Sequence, residues 1–261
     1  MRRRRSGDGD RIGGVRGALA LFKLDAQWKC YSITRTLPLV PDPWRVQDTY
    51  SATGDWMPAR SRFPDFRAHV DRVHAAGISN YLAWLSVPFV GNESKAYGRF
   101  RGKFIGREDA SVRRLDPRFP EVREYLVGTY ERCLRDWDLD GLKLDFIDLL
   151  HSDADDPARD DGYAGRDCRT VEEGVDRLMT AVHERLTAIK PEALIEFRQR
   201  YTGPAIRRYG NMLRATDCPY DILGNRKRIV DLRLTSGRTG RCLFQPDESI
   251  DDLAYSRKVR L

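Results

Sequence analysis

The fold of this chain is decided by the stretch Asp140-Gly-Leu-Lys-Leu-Asp-Phe-Ile-Asp148. Alternation along it places Leu142 and Leu144 on one face of a β-strand, and Lys143 and Asp145 on the opposite face. A purely structural buried strand seldom carries a Lys and an Asp on one face, because burying charge is costly unless it is paired. Two interpretations follow: a Lys–Asp pair on a solvated sheet face, or a site at the carboxyl end of a parallel strand, where α/β folds collect their chemistry.

Helical and strand patterns alternate on both sides of this stretch. Helices with an apolar stripe are predicted to begin at Pro64, at Pro120 and at the capping box Thr170-Val-Glu-Glu173. Strands are predicted at 78–87, 140–148, 193–197 and 212–216, further helices at 204–209 and 221–234, and a loop from Gly91. This order predicts an α/β fold with a parallel sheet, for which a (β/α)8 TIM barrel and an open doubly wound sheet both fit. No glycine-rich phosphate loop follows any strand, which disfavours nucleotide binding.

The net charge of +7 on the 261-residue chain lies in its flanks. Residues 1–47 hold 10 Lys and Arg against 4 Asp and Glu, and residues 238–261 hold 5 against 4, so residues 48–237 are neutral. The predicted organisation is a basic N-terminal arm at 1–47 without an assignable element, a (β/α) barrel catalytic domain at 48–237 and a C-terminal tail at 238–261. A basic arm could contact nucleic acid, but no aromatic–basic interleaving supports that function, which is the least favoured one.

Cysteine usage and hydropathy indicate in which cellular compartment the protein is expected. Five cysteines are scattered through the chain without a CxxC pair, so neither a disulfide framework nor a zinc site is predicted. No apolar run reaches membrane length, and no signal-peptide core follows the basic start. We therefore expect a cytoplasmic protein without a membrane partner. His69, His74 and His183 fall on predicted helices and are expected at the surface rather than as ligands.

Polar side chains gather where three successive predicted strands end. They are Lys143 and Asp145 on the first strand, Glu196, Arg198 and Gln199 on the second, and Arg214, Asp217 and Asp221 on and after the third. In a barrel these strand ends converge on one mouth. Two carboxylates held across such a mouth are what glycoside hydrolysis requires, one to attack or steady the sugar carbon and one to protonate the leaving oxygen. Lys143 is expected to help keep Asp145 ionised, because a nearby positive charge favours the charged form of a carboxylate.

Five motifs resemble, in the right order, those of the family 36 glycoside hydrolases, the melibiase-type α-galactosidases of clan D. Two of them match the family's nucleophile strand and its acid/base strand: Leu142-Lys-Leu-Asp-Phe146 and Gly210-Asn-Met-Leu-Arg-Ala-Thr-Asp217. The others are similar to a loop and helix start, a second strand and the approach to the third helix: Gly54-Asp-Trp-Met-Pro58 with Arg62-Phe-Pro-Asp65, Trp84-Leu-Ser-Val-Pro88, and Leu115-Asp-Pro-Arg-Phe-Pro120. The resemblance covers about residues 50–237.

The resemblance implies a retaining glycosidase on a (β/α)8 barrel that needs no metal or other cofactor and that acts on a terminal α-galactoside or a related α-glycoside. Asp145 would be the nucleophile, and Asp217 would be the acid that then serves as base. Asp221 competes for that second role, although it could instead cap a helix. Carbohydrate would be bound by Lys143, Arg214 and Trp84, with Glu196, Arg198 and Asp221 as further candidates. Arg214 could instead form a salt bridge, and Trp84 could belong to the core.

The sequence departs from the family pattern in three places. The Asp-Asp-Gly-Trp step of the first barrel strand has no match before Asp48, and no strand is readable after Gly237. Glu196-Phe-Arg-Gln199 replaces a Cys- and Gly-rich strand, which leaves the choice of sugar open. We therefore expect an incomplete barrel, with about strands 2–6 recognisable, in a product truncated or frame-shifted at both ends. Its open edge would invite a homo-oligomer, and a catalytically inactive carbohydrate-binding remnant is the alternative to an active hydrolase.

Overall fold

Seven strands form one sheet in which spatial neighbours follow the order of the chain. The computed structural model describes residues 20–23, 27–32, 53–58, 63–76, 80–106, 112–152, 165–197, 208–214, 227 and 243–245. The strands of the main sheet, in spatial order, are β1 (Ala20–Lys23), β2 (Gln27–Ser32), β3 (Asn80–Ser86), β7 (Gly141–Asp145), β8 (Leu194–Phe197), β9 (Met212–Arg214) and β10 (Leu243–Gln245). Every neighbouring pair from β2 to β10 is parallel, and β1 runs antiparallel to β2.

The strand order separates the two architectures that the sequence allowed. In a doubly wound sheet the order reverses at a switch point, whereas in a barrel wall each new parallel strand is added beside the preceding one. Here the parallel strands from β2 to β10 follow one another without a reversal. The α/β prediction is therefore confirmed, and the sheet has the order of a barrel wall. The described strands do not close into a barrel, so closure stays a prediction.

The sheet extends on both sides of the predicted domain boundaries at 47 and 237. β1 and β2 lie in a region without a predicted element, and Ser32 of β2 stands opposite Trp84 of β3. β10 lies in the predicted tail and pairs with β9. These strands are short, and pairing with a neighbour rather than their own pattern fixes them. Sequence periodicity therefore could not find them.

The helices are α1 (Phe66–Ala75), α2 (Lys95–Arg99), α3 (Pro120–Arg135) and α4 (Val171–Ile189). The predicted starts of the three longer ones are confirmed to within two residues by their caps. Asp65 Oδ1 accepts a hydrogen bond from Ala68 N at 2.9 Å, and Thr170 Oγ1 accepts one from Glu173 N at 3.1 Å. Pro120 occupies the first turn of α3, where its missing N–H costs nothing. None of the described helices is long and apolar enough to span a bilayer.

The segment between β3 and α3 holds a second, antiparallel sheet that the sequence did not predict. Its strands are β4 (Phe89–Gly91), β5 (Phe104–Ile105) and β6 (Val112–Leu115), with β6 in the centre. α2 lies between β4 and β5 in the chain, and Ser94 Oγ caps it by accepting from Tyr97 N at 3.1 Å. Strands of two to four residues carry too little alternation to be recognised in a sequence.

The two faces of the main sheet carry different side chains. One face is apolar and joins the helices in a single core, with buried residues that include Ala83, Leu85, Leu142, Leu144 and Ile195. The opposite face carries the apolar Leu82 near the amino end of β3 and, further along the strands, polar or amphipathic side chains, namely Trp84, Ser86, Lys143, Asp145 and Glu196. All five positions of β7 are buried. The interpretation of Lys143 and Asp145 as a pair on a solvated face is therefore wrong.

One carboxylate ties the amino ends of β3 and β7 to two helices. Asp140 Oδ2 accepts a hydrogen bond from Tyr81 N at 2.8 Å and lies 2.7 Å from His74 Nε2 on α1. Lys190 Nζ, at the end of α4, lies 3.4 Å from Asp140 Oδ1. His69 is also part of this end, because its Nε2 lies 3.2 Å from the hydroxyl of Tyr81. It is buried, so the expected surface position of His69 is wrong.

Gly141 lets β7 and β8 approach more closely than a side chain would permit. A Cβ atom at this position would lie 2.0 Å from the backbone oxygen of Leu194. We expect Gly141→Ala to lower the free energy of unfolding by about 3 kcal/mol, because the overpacked backbone cannot turn aside. Gly128→Ala in α3 is the control, since nothing lies within 4 Å of its added Cβ; it should stabilise by roughly 0.5–1 kcal/mol. Urea unfolding measures both, and equal values would contradict the close approach.

Candidate active site

Side chains from three neighbouring strands meet at the carboxyl end of the sheet. In the strand register Trp84 stands opposite Lys143, and Lys143 stands opposite Glu196. Ser86 stands opposite Asp145, two residues further along β3 and β7. Because side chains alternate along a strand, all five project from the same face. Four of the predicted site residues, Trp84, Lys143, Asp145 and Glu196, are therefore brought together.

The carboxylate of Asp145 is held by two N–H donors. Trp84 Nε1 donates to Asp145 Oδ2 at 2.7 Å, and the backbone N–H of Phe146 donates to Asp145 Oδ1 at 2.8 Å. The backbone oxygen of Asp145 also accepts from Val87 N at 3.0 Å, just past the end of β3. Only 5% of Asp145 is exposed. Hydrogen bonds to an ionised group are among the strong ones, so the carboxylate is fixed in one orientation.

The donor geometry depends on an unusual backbone conformation at Phe146. Its φ of 61° and ψ of 25° lie in the left-handed region, which costs roughly 1–2 kcal/mol for a residue with a Cβ atom. The turn ends β7, leads into a 3-10 helix at Ile147–Leu149 and aims the N–H of Phe146 back at the Asp145 side chain. Strain of this kind clusters at functional sites, because elsewhere it is readily relieved.

Lys143 and Glu196 form a buried ion pair beside Asp145. Lys143 Nζ lies 3.9 Å from Glu196 Oε1, and the two residues are 6% and 0% exposed. The ion pair with Glu196 follows from the sheet geometry, because residues opposite each other on adjacent strands lie about 4.8 Å apart. That Lys143 also helps to keep Asp145 ionised stays a prediction.

Trp84 is enclosed by two aromatic rings that meet it edge to face. Its ring centroid lies 6.4 Å from that of Trp56, with 72° between the planes, and 6.3 Å from that of Phe146, with 86° between the planes. Trp84 is half-buried, whereas Trp56 is buried. The alternative that Trp84 is only a core residue does not account for its indole N–H, which is used on Asp145.

Sequence reasoning missed two residues of this site. Trp56 lies two residues after Gly54, and a large aromatic residue so close to a glycine is the signal that could have identified it. Ser86 lies two positions after Trp84 on the same strand face, so alternation alone could have identified it. Ser86 is fully buried, and its Oγ has no hydrogen-bond partner among the residues that the structure describes.

The remaining predicted residues are only partly covered. Arg214 is the last residue of β9 and stands opposite Gln245 of β10, so its backbone lies at the same carboxyl edge of the sheet. Arg198, Asp217 and Asp221 lie outside the described residues, as do most of the helices predicted at 204–209 and 221–234.

The buried ion pair can be tested by removing its charges one at a time. We expect Lys143→Met to lower the free energy of unfolding by about 3 kcal/mol, because it removes a cation that is paired with a fully buried carboxylate. Adding Glu196→Gln should recover most of this loss. Arg135→Met is the control, because Arg135 pairs with Glu131 at 3.7 Å but is 62% exposed; it should change stability little. Urea unfolding gives the values, and additive losses in the double variant would contradict the pairing.

The fold is similar to that of solved α-galactosidases, although no protein-family model matches the chain. GH36 α-galactosidase AgaA from Geobacillus stearothermophilus matches 71% of this chain, with a TM-score of 0.53 and 19% identity, and the match covers 26% of AgaA. The α-galactosidase TtGalA from Thermus thermophilus, solved with stachyose, matches 80% of this chain, with a TM-score of 0.52 and 17% identity, and the match covers 49% of that chain.

In sequence, the chain is similar to 1,4-alpha-glucan branching enzymes GlgB. The enzyme from Mycobacterium tuberculosis is 31% identical over 134 residues, which are 46% of this chain and 18% of the enzyme. GlgB 2 from Streptomyces coelicolor is 28% identical over 171 residues, 59% of this chain and 22% of the enzyme. The chain thus spans less than a quarter of the length of these relatives. In fold it is similar to the α-galactosidases of glycoside hydrolase family 36, which confirms the resemblance carried by its five motifs.

Proposed function

We propose that this chain hydrolyses terminal α-galactosides with retention of configuration. The observation that supports the proposal best is the position, burial and hydrogen bonding of Asp145. This carboxylate lies at the carboxyl end of a parallel strand and is almost completely buried. Trp84 Nε1 and the backbone N–H of Phe146, which has left-handed backbone angles, orient it by hydrogen bonds. The carboxyl ends of parallel strands are where barrel enzymes keep their catalytic residues.

The proposed reaction has two steps. Asp145 attacks the anomeric carbon and forms an ester with the sugar, while the glycosidic bond breaks and Asp217 gives its proton to the leaving oxygen. Asp217 then takes a proton from water, which attacks the same carbon and returns Asp145 as a free carboxylate. Asp217 enters this scheme from its sequence motif. A crystal structure should place the two carboxyl groups about 5–5.5 Å apart, and a separation beyond about 9.5 Å would exclude the assignment.

Sugar binding is assigned to the side chains around these carboxylates. Lys143 Nζ can donate to hydroxyl groups, and Glu196 can accept from them, at the place where the two charges face each other at 3.9 Å. The ring of Trp84 offers an apolar face to the sugar. From the sequence alone, Arg198, Arg214 and Asp221 are added to the same set. These roles require no metal ion or other cofactor.

A second substrate class is an α-glucan. The sequence relatives at 28–31% identity are named as 1,4-alpha-glucan branching enzymes, so an α-glucoside is the competing sugar at the same nucleophile. Both candidates use Asp145, and a labelling experiment with the two sugars separates them.

We also infer a cytoplasmic setting with reduced thiols. Cys133 and Cys168 are free and buried. Burial raises the pKa of the Cys133 thiol to about 12, and burial together with the neighbouring Asp167 raises the pKa of the Cys168 thiol. Thiols of this kind react slowly, because the thiolate is the reactive form. Whether the chain pairs with another copy stays a prediction.

Covalent trapping tests the proposed nucleophile. A slow, mechanism-based α-galactosyl fluoride should label Asp145, as read by mass spectrometry of the modified peptide, because the sugar ester is an obligatory intermediate. Asp145→Asn should abolish the label, whereas Asp148→Asn should keep it, since Asp148 is an exposed carboxylate three residues away.

The outcome decides between the candidate functions. The corresponding α-glucosyl fluoride is tested in parallel, and labelling of Asp145 by that reagent alone would replace galactose by glucose as the sugar. A label on another carboxylate, or no label with either reagent in a chain that unfolds cooperatively, would overturn the glycosidase proposal.

A further inference from the structure

We propose that Trp56 is a positioning residue that holds the indole of Trp84 in hydrogen-bonding contact with Asp145. This inference rests on the proposed function of Asp145. Trp56 meets the ring of Trp84 edge to face, and Trp84 Nε1 donates to Asp145 Oδ2 at 2.7 Å. Trp56, Trp84 and Asp145 therefore form a series of contacts, in which Trp56 is the outermost residue and Asp145 is the proposed nucleophile.

Trp56 is held in a conformation that a relaxed loop would not choose. Its φ is 48°, and Gly54, two residues earlier, has a φ of 125°. Trp56 is nevertheless 3% exposed, so its large ring is inserted into the core in this strained turn. A tryptophan with left-handed backbone angles persists only where the surrounding structure leaves it no other conformation.

Five hydrogen bonds from four groups of other elements hold the loop residues 54–56. The backbone oxygen of Gly54 accepts from the Tyr125 hydroxyl at 2.7 Å. Arg132 Nη2 donates to the backbone oxygens of Asp55 and Trp56 at 3.3 and 3.4 Å. The Asp55 carboxylate accepts from the backbone N–H groups of Lys95 and Ala96 at 3.0 and 2.9 Å, at the start of α2. The loop is thus a rigid support and not a flexible connection.

The loop places the ring of Trp56 against the ring of Trp84. Trp56 and Phe146 both meet the ring of Trp84 edge to face, with 72° and 86° between the planes. Both residues have left-handed backbone angles, and the only other described non-glycine residue with positive φ is Asp138. An indole bounded by two such rings keeps one orientation, and its N–H then stays directed at Asp145. Without Trp56, Phe146 would be the one aromatic ring in the described part of the chain that still meets this indole.

A double-mutant cycle separates positioning from simple packing. We expect Trp56→Phe to lower kcat about tenfold, because small misplacements of a catalytic group cost this much, while KM changes less than about twofold. Trp84→Phe should lower kcat about a hundredfold. If Trp56 acts through Trp84, the double variant should equal Trp84→Phe alone. Independent losses that multiply in the double variant would overturn the inference.

The matched control is Trp137→Phe. Trp137 is also buried and also makes an edge-to-face contact, with Phe66 at 5.3 Å and 86°. Arg132 lies 5.7 Å from the Trp137 ring centroid, and the phenyl ring of Trp137→Phe keeps an aromatic ring at this position. The same side chain is removed from the same core, so the loss of stability should be similar to that of Trp56→Phe. Its kcat should stay within about twofold of the parent, because a purely structural substitution leaves the remaining folded enzyme active.

A spectroscopic measurement keeps the inference independent of turnover. In the ¹⁵N-labelled full chain, the indole N–H of Trp84 is identified by its loss in Trp84→Phe. Its exchange with solvent should become at least about tenfold faster in Trp56→Phe, and should stay unchanged in Trp137→Phe. Should Trp56→Phe fail to fold, Tyr125→Phe, which removes the hydroxyl bound to Gly54, is measured in the same way.

The two readouts fail in different ways. Faster exchange without any turnover or labelling in the parent would keep the positioning role and overturn the proposed glycosidase. Turnover with an unchanged Trp84 exchange rate in Trp56→Phe would keep the glycosidase and overturn the positioning role.

Discussion

The carboxylate of Asp145 imposes the constraint on which the rest of the site depends. A buried carboxylate is costly unless it is hydrogen-bonded, and Asp145 takes hydrogen bonds from Trp84 Nε1 and Phe146 N. The first of these needs β3 and β7 in their observed register, with Ser86 opposite Asp145. The second needs a left-handed residue immediately after β7. One functional group thus couples the pairing of two strands to the conformation of a single residue.

The two ends of the sheet are built differently. At the amino end, Asp140 satisfies ordinary partners, namely Tyr81 N, His74 and Lys190. At the carboxyl end, Trp56 and Phe146 are strained and Lys143 is buried with Glu196. In barrel proteins the first end serves stability and the second serves chemistry. Strain and buried charge at one end are retained because the well-satisfied contacts of the core and of the other end compensate for them.

Sequence patterns predicted the long elements and the inner residues of the site, and they failed where partners lie far apart in the chain. Helices α1, α3 and α4 carry apolar stripes and caps that are local signals. The pairing of Lys143 with Glu196 bridges more than 50 positions, so no local pattern contains it. The small sheet of β4, β5 and β6 depends on pairing rather than on alternation. His69 was placed wrongly for the same reason, because Tyr81 lies on another element.

The solved structures that are similar in fold are named as α-galactosidases and the sequence relatives as 1,4-alpha-glucan branching enzymes, and neither likeness assigns a sugar to this chain. A fold supports many reactions, so likeness to α-galactosidase structures at 17–19% identity establishes the scaffold alone. Galactose and glucose differ only in the direction of one hydroxyl group. A site that hydrogen-bonds such a hydroxyl discriminates strongly, because the wrong isomer leaves buried polar groups unpaired. In the described part of the chain, Lys143 and Glu196 are a donor and an acceptor held 3.9 Å apart beside Asp145. Under the proposed function, the position of Lys143 and Glu196 relative to that one hydroxyl is what would select the sugar.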